Sequence, residues 1–217
     1  MKDLNSYIEH TILKADTSKE EIIKLCEEAK EYNFCGVCVP PYYVRIANDE
    51  LEKSAVKVVT VVGFPLGYST TPAKVEETRK AIDAGADEID MVINIAALKE
   101  KNINHVKNDI ESVCMLTQLK GAKLKVIIET ALLTDEEKIM ACKICAEVGV
   151  DFVKTSTGFA KSGAKIEDIR LMRENLPESI LIKASGGIKT PSQAASLIQV
   201  GAERLGTSSG VKLVSSL

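Results

Sequence analysis

A regular rhythm of short apolar runs is the feature that most constrains what this chain can fold into. Runs of β-branched and aliphatic residues, centred near Ile8, Val37, Val59, Asp90, Val126, Phe152, Ile182 and Leu205, alternate with longer stretches of helical period. Successive centres lie 22 to 36 residues apart, about 28 on average, which is what one strand, one helix and two short loops consume. Strands spaced this way cannot be joined by tight hairpins, so they run parallel with helical crossovers. Eight such units in 217 residues predict one α/β domain, residues 1–217, a single (β/α)8 TIM barrel with an N-terminal helical cap.

The joints between units repeat. Ala81–Asp87, Cys145–Asp151 and Leu197–Glu203 each end a helical pattern in Gly and carry an acid two positions later, at the start of the next strand. Helix starts are marked by Thr71-Pro72, by Thr134 followed by three acids, and by Thr190-Pro191. No linker, low-complexity tract or change of composition interrupts the series.

Composition excludes several functions. With 45% hydrophobic and 27% charged residues, the chain can bury a sizeable core and is not disordered. Its 28 basic and 31 acidic residues leave a net charge of −3, with no basic stripe, and the few aromatics include no Trp. A nucleic-acid partner is therefore not expected. No apolar run approaches about 18 residues, and Met1–Ser6 lacks the apolar stretch of a signal peptide, so the expectation is a cytoplasmic protein with no membrane partner. Helix faces on a barrel read alike whether wet or at an interface, which leaves a homodimer open. The pairs Cys35-x-x-Cys38 and Cys142-x-x-Cys145 have the outline of a zinc site. However, the first pair lies in a strand-like run, the second in a helical one, and only His10 and His105 could add imidazoles. Neither a metal nor another cofactor is expected.

In an eight-stranded barrel the chemistry collects at the C-terminal ends of the strands. In Glu88–Asn94, Ile89, Met91 and Ile93 share the helix-facing side, which turns Asp90 into the barrel. The same alternation turns Lys154 and Lys183 inward. One buried ion pair would account for Asp90 and one lysine, leaving the other unexplained. Amine catalysis accounts for both. A free-base lysine attacks a carbonyl to give a Schiff base, and freeing it at pH 7 costs roughly 4 kcal/mol, which desolvation and a neighbouring ammonium help to supply. The carboxylate then moves protons between intermediates. Two small-residue loops follow, Ser185–Ile188 and Gly206–Gly210, where barrels of this type often bind phosphate. Glu129 reads either as a partner for Lys125, the favoured choice, or as a site carboxylate. Asn94 and Thr155 read as sugar contacts or loop caps.

These segments resemble the deoxyribose-phosphate aldolase family along the whole chain. The resemblance is carried by Lys154-Thr155-Ser156-Thr157-Gly158-Phe159, Glu88–Asn94, Lys183–Ile188, Val62–Gly67 and Lys125–Thr130. It implies metal-free cleavage of 2-deoxy-D-ribose 5-phosphate to D-glyceraldehyde 3-phosphate and acetaldehyde, in deoxynucleoside catabolism. Lys154 would form the imine, Lys183 would favour its free-base form, and Asp90 would relay protons. Gly158, Gly186, Gly187, Ser208 and Ser209 would cradle the phosphate of this small-molecule phosphosugar. Thr155 would lie near the site, as would Cys38, whose counterpart in other members traps reactive aldehydes. Three departures stand out. Glu9-His10-Thr11 replaces the usual Asp-His-Thr, Lys161 sits in a less glycine-rich loop where it is either solvated or at the phosphate pocket, and the chain closes at Leu217 without the tyrosine tail of some members. The competing readings are a Schiff-base aldolase or transaldolase for another sugar, and a phosphosugar-binding barrel without turnover.

Overall fold

Every expected strand centre falls inside a strand of the computed structural model, which describes residues 3–215. The strands are β1 (Ile8–Thr11), β2 (Gly36–Val39), β3 (Lys57–Val62), β4 (Glu88–Val92), β5 (Lys123–Ile127), β6 (Phe152–Lys154), β7 (Leu181–Ser185) and β8 (Arg204–Thr207). They pair in chain order, all parallel, and β8 returns to pair with β1, closing the barrel. Closure abolishes the sheet edges that eight parallel strands would otherwise expose.

The crossovers are α1 (Lys19–Glu31), α2 (Val44–Leu51), α3 (Thr71–Asp83), a short α4 (Ile95–Lys99) followed by α5 (Ile103–Lys120), α6 (Asp135–Val148), α7 (Ile166–Asn175), α8 (Pro191–Gln199) and α9 (Gly210–Ser215). The N-terminal cap is small, a single 3₁₀ turn over Leu4–Tyr7 that buries Leu4. The chain end at Leu217 lies outside the described residues. Thr134 and Thr190 cap α6 and α8 through reciprocal boxes with Glu137 and Gln193. At α3 the cap is Thr70, and the Thr71 hydroxyl instead donates to Asp109 on α5 at 2.9 Å. Among the described residues no helix is long and apolar enough to cross a membrane.

The repeated acid at the joints has a structural reason. Asp87 accepts from Val58 N at 2.8 Å, Asp151 from Leu124 N at 2.9 Å, and Glu203 from Ile182 N at 2.7 Å. Each acid thus takes up a main-chain donor near the start of the preceding strand, on the barrel's N-terminal rim, where no further ladder partner exists.

The layer between strands and helices is apolar. Ile89, Met91 and Ile93 are fully buried in it, as the alternation predicts. One charged latch crosses it: Lys74 of α3 donates to Asp109 at 2.5 Å and to the Val92 carbonyl at 2.8 Å, fixing the end of β4. The barrel's interior is different, because its inward row is largely ionic.

Candidate active site

Strand register assembles the charges. Asp90 on β4 lies beside Lys125 on β5, and Lys154, Lys183 and Arg204 follow one another across β6, β7 and β8. Register partners point to the same face, so the five side chains meet inside the barrel with Glu9 and Glu88. Asp90 Oδ2 accepts from Lys154 Nζ and from Lys183 Nζ, each at 2.7 Å, and Asp90 Oδ1 accepts from Lys125 Nζ at 2.9 Å. Lys125 also meets Glu88 at 2.6 Å and Glu9 at 3.3 Å, Arg204 bridges Glu9 at 2.6 Å and Glu88 at 3.2 Å, and Lys183 donates to Glu9 Oε2.

Four cations therefore face three carboxylates, all of them buried except Arg204, which is partly exposed. Lys125 touches all three carboxylates, Lys183 and Arg204 two each, and Lys154 only one. Burial raises the carboxyl pKa values of Asp90 and Glu9, but their cations overcome it. Lys125, Lys154 and Lys183 hold Asp90 well below the usual carboxylate range, and Lys125, Lys183 and Arg204 bring Glu9 to about 2. Burial opposes the charge on Lys183, yet Asp90 and Glu9 raise its pKa above the ordinary lysine value, so Lys183 keeps its proton. If Lys154 gives up its proton, three cations remain for three carboxylates.

Above this floor, at the C-terminal ends of the strands, lies a cavity of about 290 Å³. Lys154 is the only one of the four barrel cations that lines it. Gly158, Gly186, Gly187, Ser208 and Ser209 all line it as well, with Thr157, Phe159, Lys14 and Lys189. Among the described residues, the main-chain N–H groups of Gly158, Gly186, Gly187 and Ser208 donate to no protein acceptor. Gly186 and Gly187 have φ of 84° and 76°, and a Cβ on Gly186 would sit 2.9 Å from Gly163 Cα, so a side chain is excluded there by strain and by space. Free N–H groups gathered around a cavity form a nest for an oxyanion.

The remaining sequence candidates sort by contact. Asp90 and Lys183 lie beneath the cavity, reaching it through Lys154. Thr155 is fully buried and stitches β6 to β7 by accepting from Ser185 N at 3.1 Å, and Asn94 caps α4. Neither lines the cavity. Cys38 is buried in a small apolar cluster with Val59 and Val61, near the barrel charges but off the cavity wall, and burial pushes its thiol up to about 11. All six cysteines are free thiols, and among the described residues no three His, Cys, Asp or Glu side chains are grouped to hold a metal. Lys161 is exposed. Glu129 does not pair with Lys125; its Oε2 accepts from Thr157.

A lysine-floored barrel opening into an oxyanion nest defines a class, and the chain falls in it: residues 6–215 match the model of the DeoC/LacD family aldolases, so the protein is an aldolase, a lyase. A curated deoxyribose-phosphate aldolase of Thermococcus gammatolerans is 55% identical over 98% of this chain and 95% of its own length, and one of Clostridium tetani is 53% identical over 98% of each. The chain belongs to the deoxyribose-phosphate aldolase family. Among solved structures, the deoxyribose-phosphate aldolase of Aeropyrum pernix, described as a tetramer, superposes with a TM-score of 0.93 at 31% identity, covering 99% of this chain and 91% of that one. An aldolase named QR15 superposes with a TM-score of 0.94 at 40% identity, over 100% and 96% of the two chains.

Proposed function

We propose that this chain reversibly cleaves 2-deoxy-D-ribose 5-phosphate to D-glyceraldehyde 3-phosphate and acetaldehyde through a Schiff base on Lys154, as a cytoplasmic enzyme of deoxynucleoside catabolism. The observation that carries the assignment is that Lys154 alone of the buried cations reaches the cavity, and is also the one held by a single carboxylate. Its amine adds to the C1 aldehyde of the open-chain sugar, and the carbinolamine loses water to give the imine. The C3 hydroxyl gives up its proton and the C2–C3 bond breaks. C3 leaves as the aldehyde of glyceraldehyde 3-phosphate, and C2 keeps the electron pair as an enamine. Protonation at C2 and addition of water release acetaldehyde and restore the amine.

Asp90 links the amines, because its Oδ2 accepts from both Lys154 and Lys183. A proton moving between Lys183 and the carbinolamine therefore crosses one carboxylate oxygen. Lys183, kept charged by Asp90 and Glu9, is the acid. Gly158, Gly186, Gly187, Ser208 and Ser209 cradle the 5-phosphate, and the Lys14 and Lys189 side chains add positive charge at the mouth. Amines, a carboxylate and hydrogen-bond donors supply every step, with no metal or organic cofactor.

The test is reductive trapping. Acetaldehyde with borohydride should leave an ethyl group on Lys154, located by peptide mass. A label on Lys183 instead, or no label, refutes the assignment.

A further inference from the structure

Glu129 is the buried carboxylate that the proposed chemistry leaves unused. It is 2% exposed, and it stands immediately after β5 with φ of 55° and ψ of 67°, a left-handed conformation that costs a β-carbon-bearing residue about 1 kcal/mol or more. Both neighbouring amides are tied to the Lys154 segment: Ile128 N donates to the Lys154 carbonyl at 3.0 Å and Thr130 N to the Thr155 carbonyl at 2.9 Å. The unusual backbone thus lies between two fixed points and carries the Glu129 side chain under the loop that follows β6. There Oε2 accepts twice from Thr157, from its N–H at 3.2 Å and from its hydroxyl, while Oε1 is buried without a partner. The Thr157 hydroxyl oxygen in turn accepts from Phe159 N at 3.1 Å. Gly158 is therefore bracketed by Thr157, which donates to the carboxylate directly, and Phe159, which is tied to it through the Thr157 hydroxyl, and its own N–H is left free at the cavity.

We infer that Glu129 is a positioning residue for phosphate recognition. Through Thr157 it fixes the loop carrying Gly158, so that the oxyanion nest is formed before substrate arrives. Pre-formed donors lose less entropy on binding than donors that must be ordered by the ligand. The inference rests on the reading of the nest as the 5-phosphate site, and it goes further by naming a residue outside the nest that sets its geometry. The role needs an acceptor oxygen, not a charge, because among the described residues no cation pairs with Glu129 and one oxygen receives both bonds. The carboxamide should therefore substitute, and an isosteric hydrocarbon should not.

The experiment compares Glu129→Leu, Glu129→Gln and Thr157→Val with the parent chain, measuring kcat/KM for 2-deoxyribose 5-phosphate and for 2-deoxyribose. The ratio of the two constants should fall about tenfold in Glu129→Leu and in Thr157→Val, through KM of the phosphorylated sugar, and inhibition by inorganic phosphate should weaken by the same factor. Glu129→Gln should keep the ratio within about threefold of the parent. The double variant Glu129→Leu/Thr157→Val should be no worse than either single, since both cut one connection. A ratio unchanged in Thr157→Val, or both substrates falling together, overturns the inference; Thr157→Val decides if Glu129→Leu does not fold. Borohydride trapping of acetaldehyde separates this from the proposed function. A parent chain that is not trapped refutes the Schiff base, whereas trapping in all variants with an unaltered phosphate preference refutes only the role of Glu129.

Discussion

Replacing Lys183 by Met should disable Lys154 without unfolding the barrel. Both amines lie 2.7 Å from Asp90 Oδ2, so their nitrogens are separated by at most twice that distance, about 5.4 Å. Two unit charges at that spacing repel by about 3 kcal/mol at an effective dielectric near 20. This repulsion between the two amines disappears in Lys183→Met. In addition, Asp90 Oδ2 is then left to Lys154 alone, and the amine that attacks the carbonyl is held more tightly by its carboxylate. The rate of acetaldehyde trapping on Lys154 at pH 7 should therefore fall roughly a hundredfold, since each tenfold corresponds to about 1.4 kcal/mol. Met fills a volume close to that of the lysine stem, but Glu9 Oε2 and Asp90 Oδ2 each lose a buried partner, so the unfolding midpoint should fall by the equivalent of about 3 kcal/mol while the barrel stays folded. Asp90→Asn gives the opposite pattern. Removing the anion leaves four cations on two carboxylates, costing about 3–5 kcal/mol of stability, and it cuts the carboxylate link between Lys183 and Lys154, so sugar cleavage is lost while Lys154 remains open to acetaldehyde at the cavity. The assay is timed borohydride quenching with peptide mass read-out, alongside circular dichroism. Folded Lys183→Met trapped at the parental rate would refute the charge argument.

Acid stability follows from the carboxylates. Glu9 is held near 2 and Asp90 well below the usual range, both lower than in the unfolded chain, so their contribution is complete above about pH 4.5 and is lost as pH falls toward 2, Glu9 alone giving about 3 kcal/mol. Lys183, raised above its ordinary value, contributes fully below about pH 10.5 and loses that contribution as pH rises further. Urea unfolding should therefore show a plateau between these limits, and a decline that begins near neutrality would contradict it. Glu203→Ala removes the acceptor of Ile182 N on the opposite rim and should cost about 1–2 kcal/mol in unfolding with KM unchanged; an altered KM would mean that the rim communicates with the cavity.

The legible part of the site was the part in which a charge interrupts an apolar strand. Asp90, Lys154 and Lys183 each have fully buried or apolar neighbours on both sides, so alternation alone turns them inward, and the glycine loops after β7 and β8 are visible as punctuation. Glu9, Glu88 and Arg204 were harder to assign because they lie at or near strand starts, where charged residues ordinarily meet solvent. Only closure of β8 on β1 brings Arg204 onto Glu9. Lys125 shows a different limit. Its inward direction is readable, but pairing it with Glu129 conflicts with strand geometry, because four residues along a strand span about 13 Å, beyond any ion pair. Its carboxylate had to come from a neighbouring strand, and register supplies Asp90 directly opposite.

That register also changes what a buried lysine means here. Lys125 and Arg204 take no step in the proposed cleavage, yet without them Glu9 and Glu88 would draw on Lys183 and Lys154 for neutrality. A larger cation surplus, in turn, would cost more than the fold can spare. Of the four cations, Lys154 has the fewest carboxylate contacts and is the only one facing the cavity. The chain's net charge of −3 carries none of this, since the balance is struck locally among seven side chains enclosed by eight strands.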